Sequence, residues 1–204
     1  MKIISLWILA CFAIGLGGCS VLPEPREIAL YQLPDTSLSS SAAATDHTLR
    51  IKTPRTSDAL NGSHIHVMEH DNQLSAYGGA RWVSPVPTLW QDHMVRAFLA
   101  DGRLNAVTTD RENLQAEHEL SGSLRAFHVD LRGSTPEAVI RFDAIFAKTA
   151  SRQIIASRSF IVRQPLQGHS VAEIVTALGS ASDRVCEELL NWMTTQHSKT
   201  LSTK

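Results

Sequence analysis

Three consecutive stretches of alternating apolar and polar residues lie between Leu120 and Val162, and only a β-sheet can use them all. The middle one, "AVIRFDAIFAK", puts Ile140, Phe142, Ala144 and Phe146 on a single side. "RQIIASRSFIV" then returns antiparallel after a turn near Thr149 to Arg152. Pro165 ends it, because proline cannot donate to a ladder. The first stretch changes parity, from Leu120 and Leu124 to Phe127, Val129 and Leu131. Such a slip demands a bulge near Arg125 or burial on both faces.

Shorter strands precede these. "IALYQL" reads as a first strand stopped by Pro34, and "DTSLSSSAAATD" as a mobile loop rich in serine and alanine. "HTLRIKT" is a second strand. Ile65 and Val67 alternate with His64, His66, Met68 and His70, and "DNQ" turns this strand into "LSAYGGARWV". Adjacent Gly78 and Gly79 predict a bulge or a close backbone approach there.

Two helices complete the pattern. Thr88 and Gln91 have capping-box spacing, Trp90, Met94, Ala97 and Phe98 then share a face, and Gly102 supplies the stop. "RLNAV" leaves that helix as a brief strand. Ser170 and Glu173 form a second box ahead of a stripe that runs from Val171 through Leu178 and Leu189 to Trp192. The expected fold is α+β, a mainly antiparallel β-sheet covered by two amphipathic helices. Residues 28–197 form one domain, and 198–204 a polar tail that frays.

The N-terminus sets where this domain works. The apolar run Ile3 to Leu16 has 14 residues and follows Lys2. As a helix it would rise about 21 Å, short of a hydrocarbon core of about 30 Å. That describes a secretory signal over residues 1–18, although a signal anchor would share its pattern. Gly17 and Gly18 before Cys19 resemble the lipobox of bacterial lipoproteins. The resemblance implies diacylglycerol on the Cys19 thiol, cleavage before it, and a third acyl chain, such as palmitate, on the new amine. Ser20 where an aspartate would retain the protein implies export to the outer membrane. Residues 19–27, "CSVLPEPRE", form a tether reaching about 30 Å at full extension.

Cleavage at that point leaves 186 of the 204 residues and, besides the acylated cysteine, Cys186 alone. The domain must then hold itself by packing, with Cys186 a buried hydrophobe or an intermolecular disulfide partner. With 43% hydrophobic and 19% charged residues the chain is globular in composition. Nineteen basic against 20 acidic residues give no general attraction to nucleic acid.

Catalytic and metal motifs are sparse. His64, His66 and His70 share a strand parity, but His64 and His70 lie about 20 Å apart along a strand. Only His64 and His66 could share an ion, with a third ligand from elsewhere. His169 beside Ser170 lacks a G-x-S-x-G elbow, and Ser170 already has a capping role. H-E-x-x-H and Walker-type loops are absent, so the chain cannot hydrolyse ATP through a P-loop. No cofactor and no enzymatic activity are expected.

"YGGARWVSPVPTLWQDHMVRAFLADGRLNAV", Tyr77 to Val107, resembles the ABC-type transport auxiliary lipoprotein family. Arg81, Trp82, Pro85 and Pro87 fit its strand end and proline-containing turn, and "ALYQL" and "LLNWM" fit its first strand and closing helix. A single Tyr31 stands where the family commonly has a tyrosine pair. The resemblance implies an accessory role beside an MCE-type system that moves phospholipids or other hydrophobic molecules between inner and outer membranes. Its partners would be an MCE-domain periplasmic protein and, indirectly, an inner-membrane permease and ATPase; self-association stays open. An envelope assembly or regulatory lipoprotein would share the anchor and fold class. Arg81 and Trp82 form either a partner surface, as interface-enriched residue types, or a strand end with Trp82 packed under the first helix.

Overall fold

The computed structural model describes residues 27–40, 45–112 and 114–202, so the signal, Cys19 and most of the tether lie outside them. Strands β1 (Ala29–Tyr31), β2 (Thr45–Ile51), β3 (His64–Met68) and β4 (Leu74–Trp82) precede helix α1 (Val86–Asp101). Strands β5 (Leu104–Thr109), β6 (His118–Asp130), β7 (Glu137–Lys148) and β8 (Ile154–Pro165) follow, and helix α2 (Val171–Ser202) closes the chain.

All eight strands form a single sheet built around β6. Along one side β6 pairs with β7, which pairs with β8. The other side is shared between two strands. The start of β6 pairs with β2, which carries β5, and its end pairs with β3, which carries β4 and β1.

The sheet is mixed, and this corrects the expectation of a mainly antiparallel one. Four of the seven pairings are parallel: β1 with β4, β2 with β5, β2 with β6, and β3 with β6. The antiparallel ones are β3 with β4, β6 with β7, and β7 with β8. Each of those joins strands consecutive in the chain through a short turn, as hairpins must. Strands distant in sequence meet in parallel. Periodicity says which face a residue takes but nothing about the direction of a remote neighbour.

Local irregularities fall where the sequence puts them. The β6–β7 register slips between Leu124 and Ala126, and residues 126–130 are then buried on both faces. The β3–β4 register slips opposite the segment holding Gly78 and Gly79, and Gly79 takes the left-handed φ of 74° that favours glycine. Asp71 and Asn72, both at φ 61°, turn β3 into β4.

Helix α1 begins earlier than its supposed capping box. Val86 and Pro87 occupy the first turn, where proline's missing N–H costs nothing. Val86 N–H donates to the Gly62 carbonyl at 3.0 Å. Gln91 therefore caps nothing. Fully buried, its amide donates to the Ile51 carbonyl and to Asp110, both at 2.8 Å, tying α1 to the end of β2. The second box holds: Ser170 N–H and hydroxyl donate to Glu173 at 2.9 and 2.7 Å, and Glu173 N–H donates to Ser170 Oγ at 3.3 Å. The helical backbone then continues past His197 to Ser202 where a frayed tail was expected, there being no proline after Pro165 to interrupt it.

Both helices lie on one face of the sheet. Trp90 of α1 meets Phe127 and Phe142, with ring centroids 6.3 and 6.2 Å away. Trp192 of α2 meets Phe146 and Phe160 at 6.1 and 5.5 Å. Phe142 and Phe146 share parity on β7 and Phe160 faces Phe142 across β8, so these rings share a side. Cys186 is buried in this core, where burial pushes its thiol pKa up and leaves it an unreactive hydrophobe. Among the described residues no helix is long and apolar enough to cross a membrane.

Candidate functional site

The edge nearest the tether carries the first candidate surface. β1 pairs only with β4 among the described strands, with Leu30 opposite Arg81 and Tyr31 opposite Trp82. Alternation then places Ile28, Leu30, Arg81 and Val83 on one side of this edge. All four are exposed, Leu30 by 66%. This arginine stands among three uncovered aliphatic side chains, with His64 of β3 opposite it on its other side, unlike the solvated charge of an ordinary strand end. It can receive an apolar surface bearing an anionic group.

Trp82 is not part of that surface. It is 2% exposed and its ring meets Phe127 edge-on at 5.9 Å. Of the pair considered from sequence, only Arg81 is available to a partner. The parity of β4 separates them, since adjacent strand residues face opposite ways.

His64 and His66 approach edge to face, with centroids 6.0 Å apart, but among the described residues no third ligand joins them. Burial, then the neighbouring His64, lowers the pKa of His66. His66 lies near His128 on β6, beside a charged group in which Asp130 accepts from Arg132 at 2.8 Å and Arg163 at 3.3 Å. Those bonds, Arg132 foremost, hold the Asp130 carboxyl far below the usual range against the opposing effect of burial. His169 and Ser170 form no nucleophile and base, because Ser170 is engaged with Glu173.

Burial pushes His128 down to about 4, although Asp130 pulls it up; Arg132, His66 and Arg163 add to the lowering. The unfolded chain takes up this proton near 6.5, before the folded one does, so stability falls as pH drops from there toward 4. The contribution of this group is about 2–3 kcal/mol. We expect urea midpoints measured between pH 8 and 4 to fall through this window, and His128→Leu to flatten that part of the profile. A variant tracking the wild type throughout would refute the assignment.

The sequence also missed two clusters. Asp183 on α2 accepts from His93 on α1 at 2.9 Å, and from the Thr36 hydroxyl, Ser37 N–H and Ser37 hydroxyl at 2.8, 2.8 and 2.6 Å. Burial opposes its charge, but these four bonds, led by His93, hold its pKa well below the carboxylate range. The segment after β1, expected as part of a mobile loop, is therefore pinned at Thr36 and Ser37. Pro34 packs so closely on α2 that a Cβ added at Gly179 would stand 2.8 Å from its ring. The other cluster is His47, Glu117 and His118, at the start of β6. No spacing announces it, since His47 is 70 residues from Glu117.

The family profile for an ABC-type transport auxiliary lipoprotein component matches residues 31–189. The chain belongs to this family. The match runs from Tyr31 at the end of β1 through the first part of α2, to Leu189. A Xanthomonas campestris crystal structure is similar at 24% identity, covering 85% of this auxiliary lipoprotein and 99% of that chain, with a TM-score of 0.77. A second crystal structure, of an uncharacterized protein, is 17% identical over 82% of this chain and 99% of its own, with a TM-score of 0.66. At these identities the two establish the fold. None of the curated proteins matches the auxiliary lipoprotein.

Proposed function

We propose that this auxiliary lipoprotein is a non-enzymatic accessory component of an MCE-type ABC transport system. It serves movement of phospholipids or other hydrophobic molecules between inner and outer membranes. Acyl chains on Cys19 hold it at the periplasmic face of the outer membrane, since three chains bind far more firmly than the reversible single one. The energy comes from an inner-membrane ATPase with its permease, and an MCE-domain protein spans the gap. The family match supports the auxiliary role. The observation that carries the docking part is the exposed Ile28, Leu30 and Val83 around Arg81, on the edge strand that first follows the tether.

The test is affinity purification of the full-length lipoprotein from detergent-solubilised envelope, with wild type compared to Leu30→Asp and Arg81→Glu. Wild type is expected to recover an MCE-domain protein, and each variant to reduce that recovery about tenfold, the cost of one interface anchor. Undiminished recovery would remove the edge patch from the account. Consistent absence of any MCE-domain protein would sink the transport reading itself.

A further inference from the structure

The geometry points to a divalent transition-metal site, with zinc as its best-fitting ion, at His47, Glu117 and His118. Among the described residues this is the one grouping of three or more His, Cys, Asp or Glu whose ligand atoms converge, all within 4.8 Å of one another. Glu117 Oε2 lies 2.9 Å from His47 Nδ1 and 3.7 Å from His118 Nδ1. Zinc bonds to nitrogen and carboxylate oxygen of about 2.0–2.2 Å give tetrahedral ligand-to-ligand edges of about 3.3 Å. The two distances straddle that edge, and the third pair, His47 with His118, lies within 4.8 Å, so an ion would draw the two rings together by up to about 1.5 Å.

The donors stand on fixed backbone. His118 is the first residue of β6, paired to Leu49 on one side and to Lys148 on the other. Glu117 donates its N–H to Thr48 Oγ1 at 2.9 Å and accepts at its carbonyl from Thr149 N–H at 3.0 Å. His47 lies where the β2–β5 register slips between Thr45 and Thr48, an irregularity of the kind that re-aims a side chain. The His118 ring is further held by stacking on Phe146, with centroids 4.9 Å apart.

The surroundings suit an ion. Two imidazoles and a carboxylate are a borderline donor set with one negative charge, the kind zinc takes, whereas calcium and magnesium prefer all-oxygen shells. Behind His47 and His118 a small apolar cleft, walled by Leu49, Leu104, Phe146, Leu190 and Met193, limits solvent on that side. His47 and Glu117 already share a proton as a hydrogen-bonded pair. A metal would take that proton's place, as ligands deprotonate on binding. The ion would clamp β2 to the start of β6, beside the C-terminal turns of α2.

The test uses the untagged full-length lipoprotein in detergent, stripped of metal and titrated with zinc against a chromophoric chelator. A single zinc per chain is expected. His47→Gln and Glu117→Gln should each weaken it by at least about tenfold, while the double variant His64→Gln/His66→Gln binds as wild type. Zinc should also raise the melting temperature of wild type and leave both site variants unmoved. His47 and Glu117 are chosen because each is partly exposed and tolerates glutamine, unlike the stacked, buried His118. If zinc bound the site variants as tightly as wild type, or wild type bound none, the assignment would be overturned. It would be overturned equally if the His64/His66 variant were the one that lost it.

Discussion

Asp183→Ala is expected to lower the unfolding free energy by about 3–5 kcal/mol, the range for removing a buried carboxylate on which several donors converge. The reason lies in what it abandons. His93 is fully buried, and its Nδ1 already has no partner among the described residues. Because the carboxylate only accepts, His93 Nε2 carries the hydrogen in this pair, and alanine would strand both ring nitrogens in the core. The Thr36 hydroxyl and the Ser37 N–H and hydroxyl lose their acceptor together, so the segment after β1 should loosen as well. Chemical denaturation measures the first effect and amide exchange at Ser37 the second. Asp183→Asn should cost less, since the amide oxygen still accepts. A loss under about 1 kcal/mol for alanine, the value of an ordinary exposed pair, would contradict this arrangement.

Trp90→Ala should cost a similar 3–5 kcal/mol, the range for emptying a buried aromatic site. Trp90 is fully buried among Phe127, Phe142 and a His93 ring stacked at 6.4 Å, so no neighbour can easily collapse into the cavity. Its indole N–H has no partner among the described residues. Trp90→Phe therefore forfeits packing volume but no hydrogen bond, and should cost under about 2 kcal/mol. Thermal melts of the two variants separate the contributions. Equal losses would mean that the N–H, and not the ring volume, matters at this position.

The two predictions mark how far local pattern reaches. The cap at Ser170 was legible because both partners lie three residues apart and nothing else competes for them. Thr88 and Gln91 had the same spacing, yet Pro85 and Pro87 start the helix earlier and Gln91 is taken by Ile51 and Asp110. A capping box depends on the absence of a better remote partner, which spacing cannot report. The parity slip near Arg125 was legible for a related reason: alternation against a buried core admits few exceptions. Arg81 and Trp82 could be weighed from sequence but not divided, because which side of β4 meets the core depends on where α1 and β6 settle.

The sequence by itself determined most of the strands and helices and the family resemblance, because hydrophobic period, caps and short motifs act over a few residues. Tertiary structure decided the parallel pairings around β6, the burial of Trp82, and the convergence of His47 on Glu117 and of Asp183 on Thr36. Those two contacts span 70 and 147 residues. Closing loops of that length is an entropic cost carried by the whole core, so no local pattern records which distant side chains it brings together.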